Sequence, residues 1–237
     1  MNDILIDTDR ENNVFILVNW SSFKNDVKSV WSTVQLFDEH ATLKHEFNLE
    51  EGSEGSSITV NVNNKVFVAI TKDHRSYSGA KEIQVYDTNG LFLHSFGEGT
   101  LTRVIDITAT NSVDGRTIVF QAGPSVHLFS ELGHHLSRFN FRDSEGYHVG
   151  CIASHRTSKH VFVLLQNYLF CPYKCIFPRM LYIFTLDGEF LRSIHLYAKW
   201  QNHYKSKQGA IVTKEGLVAM PARERRTLTG KEMIVVL

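Results

Sequence analysis

The side chains in this chain best suited to chemistry are its twelve histidines, its three cysteines, and the serines and carboxylates that sit beside its turns. A metal site needs ligands at matched spacing. His134 and His135 are adjacent and leave a strand on opposite faces, while His155 and His160 flank a turn. No histidine pair stands at helical spacing with a carboxylate, and no Cys–His set has the spacing of a zinc site. Cys171 and Cys175 offer two ligands without an evident third and fourth. Serine catalysis of the Gly-x-Ser-x-Gly type has no motif to work with. Gly52-Ser53-Glu54-Gly55 and Gly97-Glu98-Gly99 lack the strand–loop–helix setting in which backbone amides hold a phosphate. The expectation is a chain that is not an enzyme and takes no metal and no cofactor. Asp38, Asp87 and Asp187 are then read as turn caps, their carboxylates accepting bonds from nearby backbone N–H groups.

The elements that carry these residues follow one template. Ile83-Gln84-Val85-Tyr86-Asp87-Thr88-Asn89-Gly90 runs up a strand into a turn whose glycine can take positive φ, and Phe92 to Phe96 returns. Three more segments share it, with 13 residues between matched positions in every case: Val34/Phe47, Ile83/Phe96, Val126/Phe139 and Leu181/Ile194. A fifth start fits Ile234. Two short β-branched or aromatic runs precede each hairpin, for example Ile58-Thr59-Val60 and Val66-Phe67-Val68 before the second. Each unit is therefore four short strands, a to d, recurring at the 40-to-50-residue scale of a propeller blade. A pair of sandwiches would not explain the constant c–d unit. The reading is an all-β, single-domain β-propeller with blades at about 3–49, 55–97, 103–140 and 148–196. A fifth, 208–237, lacks strand d, so the expectation is a piece of a longer, six-bladed propeller that self-associates on its own through the open edge.

Composition sets outer limits. With 25 Lys and Arg against 25 Asp and Glu the chain is neutral, so it is not a globally basic nucleic-acid protein. The N-terminus carries acids where a signal peptide needs a basic region, and apolar runs are far too short to span a membrane. Three cysteines cannot all pair, which favours a reducing compartment and hence the cytoplasm. Asn19-Trp20-Ser21 is a glycosylation tripeptide of the kind chance produces often.

The stretch Ile83 to Gly97, with its Tyr86-Asp87 and Gly90-x-Phe92-Leu93-x-x-Phe96-Gly97, resembles the second half of the NHL repeat. Leu181 to Ile194, with Asp187-Gly188, is similar. Val126 to Phe139 keeps Gly133, and Val34 to Phe47 has Ala41 near the glycine position. The Pro-x-Gly before strand a and the Asp…Asn-x-Arg after strand b are absent. The resemblance implies a divergent relative of the six-bladed propellers often found at the C-terminus of tripartite-motif ubiquitin ligases. It implies a recognition role, with single-stranded RNA as ligand for some relatives.

Binding residues concentrate on one side. In an antiparallel blade the b–c and d–a connections share one side of the disc, and the a–b and c–d connections share the other. The b–c segments 19–33, 70–81, 165–180 and 220–231 are long, rich in aromatics such as Trp20, Trp31, Tyr77 and Tyr173, and markedly basic. The c–d turns carry acids and no Lys or Arg, so a neutral chain reads as a dipolar disc. The candidate partner-binding set is Lys72, Arg75, Tyr77, Lys174, Arg179, Arg223, Arg225 and Arg226. A protein partner is the first expectation. Single-stranded RNA, held by backbone neutralisation and stacking on Tyr77, is the alternative. A zinc-dependent propeller lyase is the third.

Overall fold

The computed structural model describes residues 4–24, 27–72, 80–110, 116–121, 125–140, 147–154, 159–167, 179–196, 211–212, 218–223 and 232–236. All regular structure in them is β. Blade one is β1 (Ile4–Thr8), β2 (Val14–Lys24), β3 (Val27–Phe37) and β4 (Leu43–Asn48). Blade two is β5 (Glu54–Val60), β6 (Val66–Thr71), β7 (Glu82–Tyr86) and β8 (Phe92–Phe96). Blade three is β9 (Val104–Ala109), β10 (Thr117–Gln121), β11 (Ser125–Phe129) and β12 (His135–Asn140). Blade four is β13 (Tyr147–Ser154), β14 (His160–Asn167), β15 (Arg179–Thr185) and β16 (Phe190–Leu196). A fifth sheet holds β17 (Ile211–Val212), β18 (Val218–Arg223) and β19 (Glu232–Val236). Every sheet is an antiparallel meander in chain order, and the first strands contact one another in series from β1 through β5, β9 and β13 to β17. That is a β-propeller, with first strands innermost.

The constant spacing has a direct structural meaning. Val34 pairs with Phe47, Ile83 with Phe96, Val126 with Phe139 and Leu181 with Ile194, each across the c–d ladder. Each ladder also carries a bulge at the same place, between Leu36/Phe37, Val85/Tyr86, Leu128/Phe129 and Ile183/Phe184. The bulge feeds a five-residue turn whose fourth residue is left-handed. Gly90 takes φ 80° there and Ala41 φ 59°. The turn is thus longer than a bare Asn89-Gly90 corner: Asp87 accepts the N–H groups of both Asn89 and Leu91.

Blades stack through alternating faces. Phe15, Leu17 and Val34 of blade one meet Ile58, Val60, Val66 and Val68 of blade two. Phe67, Ile83 and Phe96 meet Ile107, Val119 and Phe129 of blade three. Val126 and Leu128 meet Ile152, Val161 and Val163 of blade four. Strand β7, central in its sheet, is covered on both faces, so Ile83, Gln84, Val85 and Tyr86 are all buried. The outermost strands alternate instead. At the turns, Gly90 sits on Phe47, Gly133 on Phe96 and Gly188 on Phe139 of the preceding blade. A Cβ at any of the three would lie 2.5–2.6 Å from the ring-bearing side chain.

The inner strands are stitched by polar groups. Asp7 accepts the Thr59 hydroxyl and the Val60 N–H at 2.8 Å each. Asp106 accepts the Ser57 hydroxyl at 2.6 Å from blade two and the Ile152 N–H at 2.9 Å from blade four. Ser154 donates to the Ala109 carbonyl at 2.7 Å. These bonds satisfy backbone groups that an apolar core between blades would leave unpaired.

One sequence expectation is corrected. Residues 19–24 and 27–33, expected as loop, are strand. β2 and β3 continue as a two-stranded ribbon from Asn19↔Ser32 to Lys24↔Val27, beyond the point where β1 and β4 stop pairing with them. The β-branched and aromatic content of Trp20 to Phe23 and Val27 to Trp31 favours extended pairing over a loop.

Candidate partner-binding face

The ribbon places Trp20 and Trp31 as direct cross-strand partners, 38% and 39% exposed. Their neighbours Asn19 and Ser32 face the other way and are buried. The Asn19 amide donates to the Gly55 carbonyl at 2.8 Å, the Ser32 hydroxyl to Asn19 Oδ1 at 2.5 Å, and the Gly55 N–H to Ser32 Oγ at 2.9 Å. The Ser32 carbonyl accepts the Leu49 N–H. The base of the ribbon is therefore bolted to Leu49 in the connection between the blades and to Gly55 at the start of β5. Gly55 permits this approach, since a Cβ there would meet Leu17 Cδ2 at 2.5 Å. Asn19, with its amide spent on Gly55, is not available to a glycan in the folded chain.

Of the residues proposed from sequence, Lys72 is described in full. Its Nζ lies 3.0 Å from Glu82 and 3.2 Å from Glu50. The hydrogen bond to Glu82 raises the Lys72 pKa, and the bond from Lys72 lowers that of Glu50. Lys72 is thus a cation already met by two carboxylates. Gln84 extends the network inward, donating to Glu50 at 3.0 Å and accepting the buried Tyr86 hydroxyl at 2.5 Å. Burial pushes the Tyr86 phenol up to about 12. Arg179 opens β15 opposite Gln166, and Arg223 closes β18 opposite Glu232, both at the b–c end of their blades. Arg75, Tyr77, Lys174, Arg225 and Arg226 lie outside the described residues, as do Tyr173 and His155.

On the opposite side Asp38, Asp87 and Glu131 are occupied. Asp38 caps its turn through the His40 and Thr42 N–H groups and pairs with Lys44 at 2.9 Å. The Lys44 bond, then the Thr42 amide, hold its carboxyl down at about 2. Asp87 caps as expected. The equivalent cap in blade four is Thr185, whose hydroxyl accepts the Glu189 N–H; Asp187 stands inside the turn. Glu131 reaches across to blade two, accepting from Asn61 and Asn63 and pairing with Lys65 at 3.1 Å. Burial opposes its ionisation, but those three partners outweigh it and lower its pKa. Lys44 and Lys65 thus meet acids on that side, as Glu50 and Glu82 meet Lys72 on the other.

Sequence reasoning missed His127. It is 2% exposed, with Nδ1 3.1 Å from Nε2 of His135 and Nε2 3.4 Å from the Ser125 hydroxyl. Burial first, then His135 and Arg138, push its pKa down to about 4. The signal was present in the repeat: the second matched position of strand c is Gln35, Gln84, His127 and Tyr182, a polar group in each blade. Among the described residues no group of three His, Cys, Asp or Glu converges to hold a metal ion. No helix in them is long and apolar enough to cross a membrane.

The likeness to known proteins lies in shape. No family model and no curated protein matches this sequence. Among solved structures, a protein of unknown function from Bacteroides caccae is 11% identical, with a TM-score of 0.51 over 92% of this chain and 72% of its own. The Dos1 propeller is 10% identical, with a TM-score of 0.53 over 94% of this chain and 66% of its own. A GH43 β-1,3-galactosidase bound to galactodeoxynojirimycin is 9% identical, with a TM-score of 0.55 over 98% and 89%. At such identities the likeness establishes the propeller fold.

Proposed function

We propose that this chain is a non-catalytic recognition module that binds a protein partner on the side bearing the b–c connections. The observation that carries this is the Trp20–Trp31 pair: two large aromatics, more than a third exposed, on a ribbon whose base is locked by the Asn19–Ser32–Gly55 bonds. Tryptophan is enriched among residues that dominate interface energy, and a rigid mount lowers the entropy lost on binding. The likeness of Ile83–Gly97 to the NHL repeat extends the proposal: a cytoplasmic, substrate-recognising propeller of a tripartite-motif-like ubiquitin ligase. The test is quantitative affinity capture from cell extract with the wild-type chain and the Trp20→Ala/Trp31→Ala variant. Specific partners should drop at least about tenfold with the variant, as expected for loss of two anchors. Identical capture by both proteins would overturn the reading.

A further inference from the structure

Each four-stranded sheet ends outward on its fourth strand, β4, β8, β12 or β16, which pairs on one side alone. Such a strand presents a row of N–H and C=O groups to any second strand, and proteins commonly blunt it with a charged side chain. Three of the four are blunted. β4 carries Lys44 and Glu46, β12 Arg138 and β16 Arg192, all exposed. β8 is Phe92-Leu93-His94-Ser95-Phe96 and holds no Lys, Arg, Asp or Glu. The bulge that recurs in all four c–d ladders does not set it apart.

The side chains along this edge are apolar and open to solvent. Leu91, Phe92 and Leu93 are 64%, 50% and 39% exposed in a row. At the far end Phe96 is covered by Gly133 of blade three, whose neighbour Leu132 is 65% exposed. The contrast with blade one is sharpest at the residue the bulge leaves unpaired. It is Lys44 in β4 and Leu93 in β8. Where blade one places a cation on the edge, blade two places a leucine.

We propose that β8 is a docking edge for a second copy of this chain, the two β8 strands pairing antiparallel about a two-fold axis to join two blades into one eight-stranded sheet. Strand addition supplies the main-chain bonds, and the exposed leucines and Phe92 supply apolar contact. Charge complementarity favours a second copy as the occupant. With no charge on β8, two copies meet without opposed like charges, whereas β12 or β16 paired with itself would bring Arg138 or Arg192 of both copies into one ribbon. The same surface is used on both sides, so the contact is isologous and closes at a dimer. It is separate from partner recognition at the tryptophan ribbon and stands without it.

The test is sedimentation equilibrium of the full chain. Between roughly 1 and 300 μM the weight-average mass should rise and level off at about twice the monomer mass, as for a small interface with a Kd of about 10–100 μM. Leu93→Lys/Ser95→Lys should stay monomeric with an unchanged circular dichroism spectrum, since Lys44 shows that the fold accepts lysine at the bulge. Leu93→Glu/Ser95→Glu should do the same, and mixing the two variants should restore association, which misfolded variants would not do. Leu191→Lys, at the matching position of β16, should leave association intact. Amide exchange over residues 92–96 should slow as concentration rises, while residues 190–196 stay unchanged. A monomer at all concentrations, a mass that climbs past the dimer without levelling, association indifferent to the lysines, or a mixture no more associated than its parts would each overturn the proposal.

Discussion

At the scale of single residues, the buried polar groups decide how the protein responds to its surroundings. His127 is neutral in the fold because burial, His135 and Arg138 all disfavour its charged form. The sign of the consequence follows. Above the ordinary histidine value of about 6.5 both folded and unfolded states hold it neutral, and stability is whole. As pH falls from there toward about 4, the unfolded chain binds a proton that the folded one refuses, and stability falls. Urea midpoints measured between pH 7.5 and 4.5 should therefore decline less steeply in His127→Gln than in wild type. Parallel curves would show that the imidazole does not titrate out of its site. Asp106 is a second such residue, since its two oxygens tie blade two and blade four to blade three. Asp106→Ala leaves the Ser57 hydroxyl and the Ile152 N–H without that acceptor and should cost about 2 kcal/mol, read as a shift in the denaturation midpoint.

At the scale of elements, the c–d hairpin is the recurring unit, and its turn residue is chosen by the blade beside it as well as by its own backbone. Gly133 needs both a left-handed backbone, φ 82°, and room against Phe96. Gly133→Ala adds about 1–2 kcal/mol of backbone strain and a further ~1–3 kcal/mol of overlap. Ala41→Gly at φ 59° relieves only the strain and should be neutral or mildly stabilising. Thermal melts of the two variants should move in opposite directions or differ sharply in size; equal shifts would mean that Phe96 yields freely. The ribbon of β2 and β3 makes a different point. Its pairs from Asn19↔Ser32 to Lys24↔Val27 run beyond the reach of β1 and β4, so their position depends on the bonds at its base. Asn19→Ala should raise amide exchange along residues 20–31 while leaving β7 protected, because β7 is covered on both faces.

For the whole molecule, the chain is neutral, and described ion pairs join charges far apart in sequence: Lys65 with Glu131, and Lys72 with Glu50. If the basic segments hold single-stranded RNA instead of a protein, log affinity should fall with log salt at about −0.7 per phosphate neutralised, and Arg225→Glu/Arg226→Glu should flatten the slope by about 1.4. A fluorescence titration of RNA pools at low salt measures this, and absence of binding there leaves protein recognition as the use of that side.

Much of this architecture is legible in the sequence because its unit is local. A residue and its partner 13 positions on are joined by one turn, so Val34/Phe47 or Ile83/Phe96 need nothing beyond alternation, a bulge and a residue that tolerates positive φ. Turn capping by Asp38 and Asp87 was readable for the same reason: donor and acceptor lie two to four residues apart. Other features arise between blades. Glu131 meets Lys65, Asp106 meets Ser57 and Ile152, and Lys72 meets Glu50 across separations that no local pattern encodes. Residues 19–33 read as a loop because two strands that outrun their sheet lose the four-strand signature, and only tertiary pairing makes Trp20 and Trp31 neighbours. The difference between buried Ile58 and exposed Ile4 is also invisible in sequence, since both are apolar residues in a first strand. Burial is set by the blade that stacks beside each, and stacking is a property of the assembled ring.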